Sequence, residues 1–253
     1  MPEPPPESLT IVLPSYNEAG RLPATLASLA ECSPIVDGFD EVMVLVVDDG
    51  SSDSTAQAAA SHPAAGRLGL RVLEHERNRG KGAAVRTGFA AASGGLVLLA
   101  DADAATPFGE IERLLPPARD GALAVGSRAV DRSLILHRQP AYRDLMGRVF
   151  NLAVRVLAVP GVRDTQCGFK VYPGPLARRL AAVQTVDGFA FDVEHLLLAR
   201  TWGWPVVELP VRWRHVEESR VQAGRHSADM LRSVIALWWR TRRRALPIQP
   251  ELP

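Results

Sequence analysis

A mostly parallel α/β sheet with helices on both faces is the fold this sequence predicts, and three observations predict it. Apolar runs of five or six residues, Leu9–Leu13, Val42–Val47 and Leu96–Ala100, read as strands buried on both faces. Segments with helical apolar spacing lie between them, near Leu22–Glu31, Ser54–Ser61 and Gly82–Ala92. Strand and helix therefore alternate, which places the strands side by side in one sheet.

Taken in order, the first strand follows a proline-rich, acidic start, Met1 to Ser8, that is expected to be disordered. The second strand ends in Asp48-Asp49-Gly50-Ser51-Ser52-Asp53, where Ser52 or Asp53 is placed to cap the next helix. Strand Arg71–Glu74 leads to Asn78-Arg79-Gly80-Lys81-Gly82, whose glycines suit a tight turn into a helix. The strand Leu96–Ala100 ends in Asp101-Ala102-Asp103, and a helix near Phe108–Pro116 and a strand Leu123–Val125 follow. Beyond Arg128 the pattern changes to helices over Tyr142–Val159 and Phe191–Trp202 and an extended segment Val206–Trp213. The last helix, about Arg225–Arg244, is amphipathic and ends in tryptophans and arginines. These features suit a bilayer surface with anionic lipids; a helix docked on the core is the other reading. The organisation expected is a disordered start (1–8), one α/β domain (9–221), a membrane-surface helix (222–246) and a disordered tail (247–253).

Bulk properties narrow the function. A chain of 253 residues with a net charge of +1 is long enough for one large domain and argues against a nucleic-acid binder. Two cysteines make no disulfide framework and suit a reducing cytoplasm. Neither a signal segment nor an apolar run of membrane-spanning length is visible, so the expected location is cytoplasmic, peripheral to the cytoplasmic face of a membrane. The oligomeric state stays open, a homo-oligomer included.

Two acidic strand ends carry the chemistry. Ligands of open α/β sheets bind outside the carboxyl ends of strands, so both ends can line one crevice. Asp101 and Asp103, one residue apart, suit a hard divalent cation such as Mg²⁺ or Mn²⁺; the alternative is a pair of solvated loop carboxylates. Asp49 suits hydroxyl or N–H groups of a ribose or base. Lys81 and Lys170 are the only lysines in an arginine-rich chain, both in glycine-flanked stretches, which points to positions needing a compact ammonium. Asp192 reads as a general base or as a helix N-cap. The histidines lack metal-ligand spacing, Cys167 reads as buried rather than nucleophilic, and Trp202, Trp204 and Trp213 read as packing residues. A phosphatase with an aspartyl phosphate would carry Thr or Val where Ala105 stands. A nucleotidyltransferase would open on a glycine-rich loop, and a dinucleotide oxidoreductase on Gly-x-Gly-x-x-Gly. A sensor that binds nucleotide sugar without turnover is the non-enzymatic alternative.

An ordered series of motifs then resembles the family 2 glycosyltransferases of the GT-A fold, most like the dolichyl- or polyprenyl-phosphate β-glucosyltransferases. The series is LPSYNEAGRL at 13–22, VVDDGSSDST at 46–55, NRGKGAAVRTG at 78–88, DAD at 101–103 and GSR at 126–128. DTQCGFKVY at 164–172, GFAFDVE at 188–194 and ELPVRW at 208–213 complete it. The resemblance implies a GT-A sheet and an inverting, metal-dependent transfer of a hexose, most simply glucose from UDP-glucose, onto a polyprenyl phosphate. It places Pro14, Tyr16, Asn17, Glu18, Asp49, Lys81, Asp101, Ala102 and Asp103 at the nucleotide sugar, with Asp101 and Asp103 on Mg²⁺ or Mn²⁺. It places Arg128, Arg138, Arg143 and Gln166 at the acceptor, and Asp103, Arg128, Lys170 and Asp192 at the chemistry, with Glu194 in the same acceptor region. A glutamine that serves some relatives as a third metal ligand is Ala105 here. GDP-mannose as donor, or a small soluble acceptor, is the alternative.

Overall fold

The computed structural model describes residues 7–137, 151–152, 154–155, 159–215, 223–243 and 246–251. Its strands are β1 (Ser8–Ser15), β2 (Glu41–Asp48), β3 (Arg71–Glu74), β4 (Leu96–Leu99), β5 (Leu123–Ser127), β6 (Ile135–His137), β7 (Lys170–Pro173), β8 (Val206–Pro210) and β9 (Trp213–Arg214). Its α-helices are α1 (Leu22–Ala30), α2 (Ser33–Val36), α3 (Thr55–Ala60), α4 (Lys81–Ala91), α5 (Ile111–Arg119), α6 (Gly174–Val183), α7 (Phe191–Thr201) and α8 (Ala223–Arg242).

The apolar runs form strands buried on both faces. In β1, Leu9, Ile11 and Leu13 enter one core layer with α1, α2 and α5, while Val12 enters the other. In β4, Leu96 and Leu98 join the first layer; Val97 and Leu99 face α4, α6 and α7. The two-residue period of a strand thus feeds two cores from one continuous run.

Seven strands form one sheet in the order β3-β2-β1-β4-β7-β5-β8. β1 is parallel to both β2 and β4, so the chain order reverses between β1 and β4 and opens a crevice at their carboxyl ends. β7 runs antiparallel between β4 and β5. That reversal brings the first residue of β7, Lys170, beside Leu99 and Val125 at the edge where the parallel strands end. Asp48, Asp101, Arg128 and Lys170 consequently share one rim, although their strands run in both directions.

Some elements depart from the sequence reading. The extended segment 206–213 divides into β8 in the main sheet and β9, which pairs with β6. The expected helix over Tyr142–Val159 falls largely outside the described residues; positions 151–152 and 154–155 are helical. Asp53, not a classical N-cap residue of α3, accepts from the Thr55 N–H at 3.0 Å, and the cap position is Ser54. A tail expected to be disordered instead lies on the domain between 246 and 251. Leu246 packs on the second core layer, Trp202 Nε1 donates to the Pro247 carbonyl at 3.0 Å and Arg179 Nε to the Pro250 carbonyl at 3.0 Å.

Candidate active site

The two acidic strand ends differ in how their carboxylates are engaged. At the end of β2, Asp48 Oδ1 accepts from the Ser51 N–H at 3.0 Å and from its hydroxyl. Asp49 is buried; its Oδ1 meets His75 Nδ1 at 2.7 Å and the Arg79 N–H at 3.0 Å, and its Oδ2 accepts from the Gly80 N–H at 2.7 Å. Asp49 therefore holds the loop that delivers Lys81. The turn after β1 locks onto the same strand end. Asn17, at a φ of 54°, accepts from the Ser52 N–H at 2.8 Å, and the Glu18 N–H donates to Thr55 Oγ1 at 2.8 Å.

At the end of β4, the carboxylates meet cations rather than a lattice of amides. Lys81 Nζ lies 2.5 Å from Asp101 Oδ1 and 6.0 Å from the centre of the Phe191 ring. Gly80 and Gly82 frame that lysine for a steric reason: a Cβ on Gly82 would come within 2.8 Å of the Gly188 carbonyl oxygen and nearer still to that of Val186. Burial raises the Asp101 carboxyl, but Lys81, Lys170 and Arg128 outweigh it and hold the group below its ordinary value. Asp103 moves the other way, pushed up by burial and then by the Asp101 charge. Its Oδ1 accepts from the Ala105 N–H at 3.0 Å.

Beside this pair stand two further ion pairs. Arg128, at the exit of β5, grips Asp164 through Nε at 2.6 Å and Nη2 at 2.8 Å, a fork-on-fork contact, and its backbone N–H donates to the same carboxylate at 3.0 Å. The Arg128 guanidinium lies 5.4 Å from the centre of the Trp213 ring. Lys170 and Asp192 form a fully buried pair, and burial raises the Asp192 carboxyl despite its lysine. Below them His195 contacts Tyr172 Oη at 3.3 Å and Gln184 Oε1 at 2.9 Å, and burial followed by Lys170 lowers its imidazole to about 3.

The donor set fits a hard divalent cation. It offers two half-buried carboxylates one residue apart; one of them is raised by burial and then by its neighbour's charge, a repulsion that a cation relieves. No cluster of three or more His, Cys, Asp or Glu side chains with metal-ligand placement occurs among the described residues. Two protein oxygens leave room for substrate and water, the usual arrangement for Mg²⁺-type ions.

Comparison with known proteins identifies the family. The model of the family described as glycosyl transferase family 2 matches residues 10–178. This chain belongs to glycosyl transferase family 2. It is 37% identical over 244 residues to a dolichyl-phosphate beta-glucosyltransferase of Drosophila melanogaster, covering 92% of this chain and 74% of the relative. The human protein of that name is 37% identical over 228 residues, covering 86% and 70%. The Saccharomyces cerevisiae one is 30% identical over 247 residues, covering 90% and 73%. Among solved structures, glucosyl-3-phosphoglycerate synthase from Mycobacterium tuberculosis, in complex with Mn²⁺, UDP-glucose and phosphoglyceric acid, has a TM-score of 0.65 at 22% identity, covering 92% of this chain and 80% of its own. Mannosyl-3-phosphoglycerate synthase from Rubrobacter xylanophilus has a TM-score of 0.67 at 19% identity, covering 96% and 76%. These structural likenesses establish the GT-A-type fold of this glycosyltransferase.

Within that family frame, the structure brings Lys81, Asp101, Asp103, Arg128, Lys170 and Asp192 to one rim. Pro14 lies near the end of β1, opposite Val47 of β2, and Tyr16, Asn17 and Glu18 follow the strand, with Tyr16 exposed and Glu18 paired to Arg21 at 2.7 Å. The Ala102 carbonyl accepts from Thr25 Oγ1 at 2.6 Å, tying the Asp101–Asp103 turn to α1. Three of these residues have partners within the protein that the sequence did not reveal. The oxygens of Asp49, expected at a base or ribose, are engaged by His75 and two backbone amides. Asp192, read as a base or an N-cap, is the second residue of α7, whose cap is Ala190, and its carboxylate pairs with Lys170. Gln166 reaches Met230 of α8, its Nε2 3.8 Å from the sulfur. Arg138 and Arg143 lie outside the described residues. Cys167 is buried, its thiol pushed up to about 11, as a non-nucleophile would be. Sequence reasoning missed Asp164 and Gln184, and placed Glu194 only in the acceptor region. Asp164 opens the DTQCGFK motif, but its arginine partner is 36 positions away. Gln184 Nε2 donates to the Gly82 carbonyl at 2.7 Å and so braces the Lys81 turn directly, while Glu194 binds the Thr185 and Val186 N–H groups of the segment that packs against that turn.

Proposed function

We propose that this glycosyltransferase moves glucose from UDP-glucose onto a polyprenyl phosphate at the cytoplasmic surface of a membrane, with inversion at the anomeric carbon. The observation that carries the reading is the meeting of Asp101 and Asp103 with Lys81 and Arg128 at the carboxyl rim of the sheet, with the buried Lys170 behind them: two carboxylates for a cation, and two accessible cations for two phosphorylated substrates. Relatives named for transfer to dolichyl phosphate support the acceptor, and a structural neighbour crystallised with Mn²⁺ and UDP-glucose supports the donor and the ion.

Asp101 and Asp103 would hold Mg²⁺ or Mn²⁺, which offsets the charge that develops on the departing diphosphate. Lys81, delivered by a loop that Asp49 holds, places a half-buried ammonium beside the same charge. The turn of Tyr16, Asn17 and Glu18 borders the nucleoside end. Arg128, oriented by Asp164 and the Trp213 ring, presents a rigid guanidinium to a phosphate; a phosphate acceptor is already anionic near neutral pH, so no strong base is required. Lys170 lies behind and keeps Asp192 in place. A single displacement by the acceptor oxygen on the face opposite the diphosphate converts an α-linked donor to a β-linked product.

Helix α8 supports the membrane part of the reading. Val234 and Leu237 are buried on the core, while Leu231, Ile235 and Trp239 form an exposed stripe four residues apart. Arg242 and Arg243 cover the Trp238 and Trp239 rings at 4.5 and 5.4 Å, so apolar and cationic groups adjoin, as anionic lipid surfaces require. No helix among the described residues is long and apolar enough to cross a membrane.

The test is transfer from labelled UDP-glucose to a polyprenyl phosphate in detergent, with Mg²⁺ or Mn²⁺ and with EDTA. Label should enter the lipid phase only with metal. Label in phosphoglycerate instead, or transfer from GDP-mannose alone, would replace the acceptor or the donor. Serine at 231, 235 and 239 together should weaken sedimentation with anionic vesicles while leaving transfer in detergent; unchanged sedimentation would remove the helix from the membrane.

A further inference from the structure

Gly168 sits in the loop between Asp164, which holds Arg128, and Lys170, which opens β7. Its φ lies outside the left-handed region, so backbone freedom does not call for glycine there. Space does. A Cβ at 168 would lie 2.5 Å from Asp101 Oδ1 and nearer still to Oδ2 and Cγ, so its three nearest neighbours are all atoms of one carboxylate. The backbone around 168 is pinned on both sides. Cys167 and Phe169 are buried in the first core layer, and the Phe169 carbonyl accepts from the Gly126 N–H at 2.9 Å. A methyl group at 168 would therefore displace the Asp101 side chain rather than the loop. Oδ1 of that carboxylate is also held by Lys81 Nζ at 2.5 Å.

We propose that Gly168 is a positioning residue for Asp101: the missing side chain at 168 leaves the volume in which the Asp101 carboxylate stands, and so sets where this metal-ligand candidate points. The acceptor-side loop and the cation site are then one steric unit, with Asp164 aiming Arg128 at one end and Gly168 backing Asp101 at the other. This rests on the reading of Asp101 and Asp103 as cation ligands. A partner packed behind a ligand changes metal affinity by about 10- to 100-fold when altered, and Gly168 is such a partner by contact alone.

Two measurements test it. Mn²⁺ binding in the presence of UDP, followed by electron paramagnetic resonance, should be weakened about tenfold or more by Gly168→Ala and by Asp103→Ala. Thermal unfolding of Gly168→Ala, Asp101→Ala and the double variant should show that the alanine at 168 lowers the melting temperature only while the Asp101 carboxylate is present. Wild-type Mn²⁺ binding by Gly168→Ala beside a loss in Asp103→Ala would overturn the proposal and spare the cation site. Wild-type Mn²⁺ binding in Asp103→Ala would overturn the cation reading itself. An equal melting loss from Gly168→Ala with and without Asp101 would place the clash elsewhere and overturn the steric claim.

Discussion

The ends of β2 and β4 look alike in sequence, each an apolar strand followed by two carboxylates, yet the structure gives those carboxylates different partners. Asp48 and Asp49 are engaged by backbone N–H groups, a serine and a histidine. Asp101 and Asp103 face ammonium groups and each other. A carboxylate that satisfies amide donors stabilises a loop; one left beside a like charge keeps affinity for a cation. What separates the two ends is the spacing of the next strand's loop: residues 75–80 curl over Asp49, whereas the loop of Asp103 turns away toward α1.

The largest effect should come from exchanging the two ends in one experiment. Asp103→Ala should lower transfer by about a hundredfold or more, the range seen when a group that stabilises developing charge is removed. It should not lower stability. The folded carboxyl lies above its ordinary value, so its ionisation opposes folding at neutral pH and its removal relieves that cost. Asp49→Ala should do the reverse, exposing unpaired buried donors at about 1–3 kcal/mol each and affecting transfer mainly through the donor KM. Steady-state kinetics and urea unfolding of both variants decide it; a stability loss confined to Asp103→Ala would break the contrast.

Both ends also turn through a residue with positive φ, Gly50 at 69° and Ala104 at 48°. At the first end glycine is required twice over. A Cβ on Gly50 would lie 2.6 Å from Arg77 Cα and from Asn78 N, which are backbone atoms that cannot step aside. Gly50→Ala should therefore cost on the order of 3 kcal/mol, read from the urea midpoint. A cost below about 1 kcal/mol would mean that residues 75–80 are not held against this turn.

Much of this contrast was legible before the structure, and the missing part has a physical cause. The apolar runs and the acids behind them identified both strand ends, because a buried strand and its exit are local patterns. The rarity of lysine pointed to Lys81 and Lys170, and both stand in the cation-rich rim. What could not be read was which donors reach which carboxylate. Asp49 is met by residues 26 to 31 positions away and Arg128 by one 36 away, and only the folded sheet brings these together. β7 was missed because four residues ending in proline carry no period, and its antiparallel course breaks the strand–helix alternation on which the fold was read. The faces of α8 were legible as amphipathic, but the division between a buried and an exposed apolar stripe depends on the core that it meets.

The histidines near each end extend the contrast to pH. His75 touches the Asp49 carboxylate, whereas His195 touches Tyr172 and Gln184 and lies near Lys170. His195 is neutral when folded, with its value lowered to about 3 from 6.5. The unfolded chain takes up this proton below pH ~6.5. The stability that His195 contributes is thus complete above that pH and is lost as pH falls toward 3, by at most about 1.4 kcal/mol per unit. Urea unfolding between pH 6.5 and 4.5 should be less steeply pH-dependent in His195→Gln than in the unaltered protein. Equal slopes would show that the imidazole is already charged in the fold.

The smallest effect should be at Ala104, and its smallness is informative. An alanine at φ 48° is strained relative to glycine by roughly 1 kcal/mol. Two terms oppose the relief that glycine would bring. Glycine loses about 0.5–1 kcal/mol more chain entropy on folding, and the Ala104 methyl is buried in the first core layer, where one such group is worth about 0.8 kcal/mol. Ala104→Gly should consequently change stability by no more than about 1 kcal/mol, a few-fold less than Gly50→Ala. Its effect should appear instead in function. The Ala104 N–H donates to the Asp101 carbonyl at 3.2 Å and the Ala105 N–H to Asp103 Oδ1 at 3.0 Å, so the strained alanine stiffens the turn that sets the two carboxylates apart. A glycine there widens the range of Asp101–Asp103 separations, and Mn²⁺ binding with UDP should weaken by about threefold, an order of magnitude less than for a ligand removed. Unchanged binding would mean that the core contact of the methyl group, and not the geometry of the turn, accounts for an alanine where its counterpart is a glycine.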